Sequence, residues 1–183
     1  CAYNESVSLE LRGALDRNAL LSSLAQLSER HEAMRSVLSA SGTRNIILTQ
    51  VELPVNEIDL ASFPSNEQEA RLQELGHADM STPFDLKNGP LFRFALVRLA
   101  PTQHLLRITG HHLVCDGWSL GILMADLSAL YSAICQGRPA ELPPAYRYSD
   151  HALAQIDLLK SDAYAAVEQY WLAQFKGGAP RVD

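Results

Sequence analysis

The sequence predicts an α+β fold, a mixed β-sheet sandwiched with helices. Strand-like and helix-like segments follow one another in irregular order, without a repeating βαβ unit. Two strand-like runs, Leu91 to Leu99 and His104 to His112, are separated by the turn Pro101-Thr-Gln and read as a hairpin. Hydrophobic residues make up 47% of the 183 residues and charged residues 20%, a balance that supports one packed core and argues against disorder.

Taken in order, Val7, Leu9 and Leu11 alternate with Ser8, Glu10 and Arg12, the period of a strand, and Gly13 ends it. Asp16 is placed to cap a helix running to about Arg35, with Leu20, Leu24, Leu27 and His31 on one stripe. Asn45 to Val51 reads as a second strand. Ser65 and Gln68 have the spacing of a capping box for a helix to about Met80, which Pro83 stops. The hairpin follows, its first strand apolar on both faces except for Arg93 and Arg98. In its second strand Leu106, Ile108, Gly110 and His112 share one face; Leu105, Arg107, Thr109 and His111 share the other. Leu120, Leu123, Leu127, Leu130 and Ile134 recur at helical spacing up to Gly137, a C-terminal glycine. Pro139, Pro143 and Pro144 mark a loop before two short helices, about Asp150 to Leu159 and Asp162 to Phe175.

A net charge of -6 argues against a nucleic-acid partner. No apolar run approaches the ~20 residues that span a bilayer, so no membrane role is expected. Cys1, Cys115 and Cys135 are odd in number and lack CxxC spacing, which suits a reducing cytoplasm. The opening Cys1-Ala-Tyr-Asn has no initiator methionine or signal features and reads as a piece of something longer. Gly177-Gly178-Ala179-Pro180 reads as a linker.

Chemistry concentrates in Gly110-His-His-Leu-Val-Cys-Asp-Gly-Trp-Ser119. His111 and His112 point to opposite faces of a strand. Gly110 lies on the face of His112 and leaves room beside the imidazole; a strand glycine often marks close approach of a ligand or a second backbone. Asp116-Gly117 is a turn signal and Ser119 an N-cap for the next helix. His112 is either a structural histidine or a reacting group. His111, His112 and Asp116 are metal-ligand types, but the histidines diverge and no further cluster completes a set, so no metal is expected. Asp116 either orients His112, as carboxylates do in triads, or pairs with an arginine to hold the loop. Cys115 shows no local sign of a lowered pKa and reads as packing. No base is placed for Ser119 as a nucleophile.

These residues resemble a known family. The stretch matches the HHxxxDG motif of condensation domains of nonribosomal peptide synthetases, and its HxxxD core is shared by chloramphenicol-acetyltransferase-like acyltransferases. Arg30-His-Glu-Ala-Met-Arg-Ser-Val-Leu38 resembles that family's RHExLRTxF motif, with Met34, Ser36 and Leu38 departing from it. Tyr148-Ser-Asp-His-Ala-Leu153 resembles YxDFAVW, departing at His151 and Leu153. Tyr170-Trp171 with Gly178-Ala-Pro180 resembles the end of the N-terminal lobe. The family's first helix motif, SxAQxRLW-like, is missing before Cys1, and the second-lobe motifs are missing after Asp183. The resemblance therefore implies residues 1–183 as the N-terminal lobe of a condensation domain with a chloramphenicol-acetyltransferase-like fold.

By the same resemblance, a donor acyl thioester on one carrier is attacked by the α-amine of an aminoacyl thioester on another, forming an amide. His112 becomes the central catalytic group. An α-amine with a pKa near ~8 is partly neutral at pH 7, so an imidazole of pKa ~6.5 can take its proton as attack proceeds. Equally, His112 can hold the amine in line, where positioning contributes on the order of 7–11 kcal/mol in the best cases. For Asp116 the family implies a salt bridge, with Arg30 the first choice and Arg35 the second; they lie about 140° apart on a helix, so both cannot hold one carboxylate. Gly117 is implied as a backbone donor to the oxyanion. Trp118 reads as core or tunnel wall, His111 as packing or hydrogen-bonding, and Ser119 as a cap. Gly110 and Tyr148 are assigned to the substrate channel, and Ser149 or Asp150 to capping the helix that follows.

No cofactor is expected to bind directly; substrates would ride on the 4'-phosphopantetheine of partner carrier domains. Expected partners are donor and acceptor carriers, a C-terminal lobe and a neighbouring adenylation domain. The fragment alone is expected to be inactive and, with an apolar patch uncovered, prone to self-associate. The opening Cys1-Ala-Tyr-Asn-Glu-Ser6 resembles condensation domains that take acyl or polyketide donors. Two other readings stand beside this one: an HxxxD acyltransferase using coenzyme A thioesters, and a non-catalytic relative that recruits partner proteins.

Overall fold

The hairpin is the centre of the sheet. In the computed structural model, which describes residues 3–178, its strands run from Phe92 to Ala100 and from Gln103 to His111. The chain divides into two units, one ending at Ala145 and the other starting at Tyr146. Cys1, Ala2 and the Ala179-Pro180 end of the linker lie outside the described residues.

The first unit holds β1 (Asn4–Arg12), α1 (Arg17–Arg30), a 3-10 turn (Glu32–Arg35), β2 (Ser36–Leu38), β3 (Asn45–Ile47), β4 (Val55–Asp59), α2 (Ser65–Ser81), β5 (Phe92–Ala100), β6 (Gln103–His111) and α3 (Gly117–Cys135). The main sheet has the order β1-β6-β5-β4, antiparallel except that β4 runs parallel to β5. β2 and β3 form a separate antiparallel pair.

Alternation sorts the two faces of the sheet. Phe94, Leu96, Leu106 and Ile108 are buried against Leu20, Leu24 and Leu27 of α1 and Leu120, Leu123, Leu127 and Leu130 of α3, in one continuous core. Arg93 and Arg107 point the other way, toward α2. There Arg107 Nε lies 2.8 Å from Asp79 Oδ2, and Arg93 stacks 4.1 Å over the Phe84 ring. Layers of helix, mixed sheet and helix result, the α+β arrangement that the sequence predicts.

Several local expectations are corrected. α1 stops at Arg30, and Glu32–Arg35 is a 3-10 turn that lets β2 begin at Ser36. The second strand is only Asn45–Ile47. Ser65 and Gln68 form no capping box: Pro64 occupies the N-cap position of α2 without a side-chain bond, and the Gln68 amide donates to the carbonyls of Leu60, Phe63 and Leu99. β4 was not foreseen. α3 is 19 residues long and, by length and composition alone, apolar enough to cross a bilayer. Its leucine stripe packs instead in the core described above.

The second unit consists of α4 (Tyr148–Leu159) and α5 (Asp162–Gln174). Ser161 caps α5 by accepting from Tyr164 N–H at 3.2 Å. Trp171 stacks on Phe175, with ring centroids 6.1 Å apart. Tyr148 is the first residue of α4.

Candidate active site at the end of strand β6

β1 and β6 pair from Asn4 with His111 to Arg12 with Gln103. One residue past that ladder, His112 N–H donates to Tyr3 O at 2.7 Å, so the backbone stays extended just long enough to carry His112 off the end of the sheet. Its side chain is half exposed, at 46%, and does not enter the apolar face as strand alternation had suggested. The chain then turns, with Val114 N–H donating to His111 O. Val114 and Cys115 go into the core, and Asp116 starts α3.

His112 Nε2 lies 3.0 Å from Glu5 Oε1. Asp116 faces elsewhere. Its Oδ1 accepts from Ser119 N–H at 2.7 Å and from Ser119 Oγ–H at 2.6 Å. These bonds hold the Asp116 carboxyl below the usual carboxylate range, with the charge of His112 adding in the same direction. Asp116, not Ser119, is therefore the N-cap, and Ser119 is the donor three residues on.

Neither Arg30 nor Arg35 forms the expected salt bridge with Asp116. Arg30 Nε donates to Asp126 Oδ2 at 2.7 Å, and a second Arg30 nitrogen donates to Pro143 O. Arg35 donates to the carbonyls of Ser28 (2.8 Å), Glu29 (3.3 Å) and Leu48, closing the C-terminal end of α1. The reason is local. Asp116, at the first turn of α3, meets the free N–H groups of its own helix, whereas the carboxylate beside Arg30 is the one midway along α3.

The remaining residues fall as follows. His111 Nδ1 accepts from Leu113 N–H at 3.1 Å, and its ring meets Phe84 edge-on. Burial first, and then the neighbouring charge of His112, push the His111 pKa below the ordinary imidazole value. Gly110 does not leave room beside His112. A Cβ there would lie 2.5 Å from Cys115 Sγ and 2.8 Å from Phe92 Cε1, so the space is filled by core. Gly110 is buried. Cys115 is buried as well; burial, with Glu5 and Asp116 adding, pushes its thiol up to about 12. Trp118 is 82% exposed and so not core, because it lies on the side of α3 opposite Leu120 and Leu127. Leu113 and Ile122 are exposed apolar side chains as well. Among the described residues no group of three or more His, Cys, Asp or Glu side chains could hold a metal ion.

The Condensation domain family matches residues 1–183, the whole chain. This chain belongs to the condensation domain family. Malpinin synthetase of Mortierella alpina is 35% identical over 184 residues, covering 99% of this chain and 2% of that protein. Phosphinothricin tripeptide synthetase PhsC of Streptomyces viridochromogenes is 37% identical over 184 residues, covering 99% of this chain and 17% of that protein. The chain thus spans a small part of the synthetases it matches. The starter condensation domain of the rhizomide synthetase RzmA superposes with a TM-score of 0.83 at 24% identity, over 94% of this chain and 42% of that one. That likeness establishes the fold, a chloramphenicol-acetyltransferase-like lobe.

Within this condensation-domain chain, sequence reasoning missed two carboxylates. Glu5 sits on β1 opposite Gly110 in the ladder, and only strand pairing brings it to His112. Asp126 had a readable signal. It is the only charged residue in α3, and a lone carboxylate on a packed helix needs a cationic partner.

Proposed function

We propose that this chain is the N-terminal, histidine-bearing lobe of a domain that forms an amide between a carrier-bound acyl or aminoacyl thioester and a carrier-bound amino acid. The observation that carries the reading is His112, held past the end of β6 by its own backbone with half of its side chain open to solvent. Relatives that are peptide synthetases support the substrate class. Thioesters are reactive donors, so the protein need only bring the amine in line and receive its proton as the bond forms. His112 is the group for that step. The N–H of Gly117, at the positive end of α3, is the donor we assign to the developing oxyanion. Trp118 and Ile122, both exposed on α3, are assigned to an apolar wall of the channel, and Tyr148 is assigned to the channel as well.

Further assignments follow the same reading. No cofactor binds directly; both substrates arrive on the 4'-phosphopantetheine arms of donor and acceptor carriers. A C-terminal lobe completes the channel, an adenylation domain loads the acceptor, and the product is a secondary metabolite made in the cytoplasm. The 183-residue chain alone makes no amide.

The test uses the complete domain that contains this lobe, with two loaded carriers, comparing wild type with His112→Ala. Intact mass of the acceptor carrier reports the amide. Loss of product from a folded variant supports the reading. Undiminished product makes His112 scaffolding. No product from either protein, with suitable substrates, points to partner recruitment.

A further inference from the structure

One edge of the main sheet is open. β1 is an outer strand, paired on one side with β6. Tyr3 O accepts from His112 N–H and Gly13 N–H donates to Thr102 O, so the odd-numbered residues of β1 turn their backbone groups toward β6. Those of Ser6, Ser8, Glu10 and Arg12 therefore point outward. Among the described residues no backbone group outside the β1–β6 ladder meets them. β1 is nine residues long and keeps its register with β6 throughout, so it lacks the proline, lysine or bulge that commonly blunts an edge. Its apolar side is also incompletely covered. Val7, Leu9 and Leu11 are only partly buried, and beside Leu9 and Leu11 lies an open cavity of about 310 Å³, lined also by Leu15, Met124 and Tyr131.

We propose that the open edge of β1 is an interface with a second copy of this chain, the two β1 strands pairing antiparallel about a twofold axis at Leu9. The order of residues along the strand selects this occupant. Reversed about Leu9, Leu9 meets Leu9 of the second copy and Val7 meets its Leu11, so the apolar face stays apolar across the axis. On the other face Ser6 meets Arg12 and Ser8 meets Glu10, and no charge meets its like. The outward backbone groups of these same four residues fall opposite one another, in pairs that exchange both hydrogen bonds. The neighbouring registers fail. An axis at Ser8 sets Leu11 against Glu5, and an axis at Glu10 sets two Glu10 carboxylates against each other. A twofold contact of this kind closes on itself, giving a dimer with one continuous sheet and not a fibre. The inference is independent of the amide-forming reading.

Analytical ultracentrifugation of the 183-residue chain tests it, and a reversible monomer–dimer equilibrium is expected. Ser8 is exposed, and across the axis its side chain faces Glu10 of the second copy. Ser8→Glu adds a carboxylate there twice and is expected to weaken the dimer ~10-fold, whereas Ser8→Lys holds or tightens it, the fold of each being checked by circular dichroism. Leu9→Cys locates the axis. Opposed residues of a non-hydrogen-bonded pair have Cα atoms ~4.5 Å apart, within reach of a disulfide. Mild oxidation should therefore link Leu9→Cys to its own copy and leave Leu11→Cys unlinked to its own, with peptide mass mapping separating that link from any through the native cysteines. A chain that stays monomeric at millimolar concentration overturns the inference. So does a dimer indifferent to the sign of the charge placed at Ser8, or one that cross-links through Leu11→Cys in place of Leu9→Cys. Slow exchange of the Ser8 and Glu10 amides in a monomer also overturns it, and gives the edge to a strand of the same chain.

Discussion

Arg30 Nε and Asp126 Oδ2 are 2.7 Å apart, joining the end of α1 to the middle of α3, and His31 Nε2 reaches the same oxygen at 2.8 Å. The carboxylate is only 13% exposed and Arg30 19%. Removing one partner leaves the other charge poorly solvated. Asp126→Ala is therefore expected to lose about 3 kcal/mol of stability, read from the urea midpoint. A change below 1 kcal/mol would show that water replaces the bridge.

The same carboxylate sets an acid limit. Burial would raise the Asp126 pKa, but the hydrogen bonds from Arg30 and His31 outweigh it and the net shift is downward. A depressed folded pKa gives stability that is complete above the unfolded value, ~3.9, and is lost as pH falls through the folded one. Thermal melts from pH 7 to pH 2 should be flat near neutrality and drop below about pH 4. Asp126→Asn should show a shallower drop.

Asp116 behaves as a helix cap and not as half of a salt bridge. Asparagine caps as well as aspartate does. Asp116→Asn should thus keep the melting temperature of the wild type, whereas Asp116→Ala should lower it. A loss with Asn equal to the loss with Ala would require a charge partner for Asp116.

Gly110 has no space for a side chain, since a Cβ would press into Cys115 Sγ and Phe92. Gly110→Ala should destabilise by about 1–3 kcal/mol through overpacking. Combining it with Cys115→Ala should return part of that loss, which denaturant unfolding of the double variant would measure.

The buried thiol gives a second pH signature. The Cys115 thiol, pushed up to about 12, stays neutral in the fold where an unfolded thiol ionises. Stability from this group is present below pH ~8.5 and declines as pH rises toward the folded value. At pH 8 iodoacetamide should label the exposed Cys135 and spare Cys115 in native protein, as peptide mass mapping would report. Equal labelling of both would mean that the core opens readily at that end of β6.

What the sequence could show was whatever repeats locally. The alternation of Val7, Leu9 and Leu11, the hairpin and the leucine stripe of α3 all depend on neighbours two to four residues apart. β4 was hidden because Asn56, Glu57 and Asp59 are exposed while only Val55 and Ile58 turn inward. Its strand state comes from parallel pairing with β5, about forty residues later. The turn of Glu32–Arg35 was hidden because the stripe of α1 continues into His31, whose role is to reach Asp126 rather than to pack. At the site, His112 was legible from its motif. Its contact with Glu5 crosses more than a hundred residues, and no local period encodes it. The Asp116 pairing was misread because the resemblance supplied a partner before the helix's own amides were weighed.

α2 has no buried residue of its own; Ser81 Oγ–H closes His77 O and Thr82 N–H closes Ala78 O, and the carbonyls beyond are met from outside the helix. Asn4 donates to the carbonyls of Asp79 and Thr82 at 3.0 and 2.8 Å, and Arg93 donates to the same two at 2.6 and 2.7 Å. The helix is thus fastened at one end by side chains that come from two strands. Those two strands enter one sheet only through β6, which lies between them, and only then do both donors reach the same helix end. In native-state hydrogen exchange its amides should open before those of the hairpin, which makes α2 a shutter hung on an already finished wall.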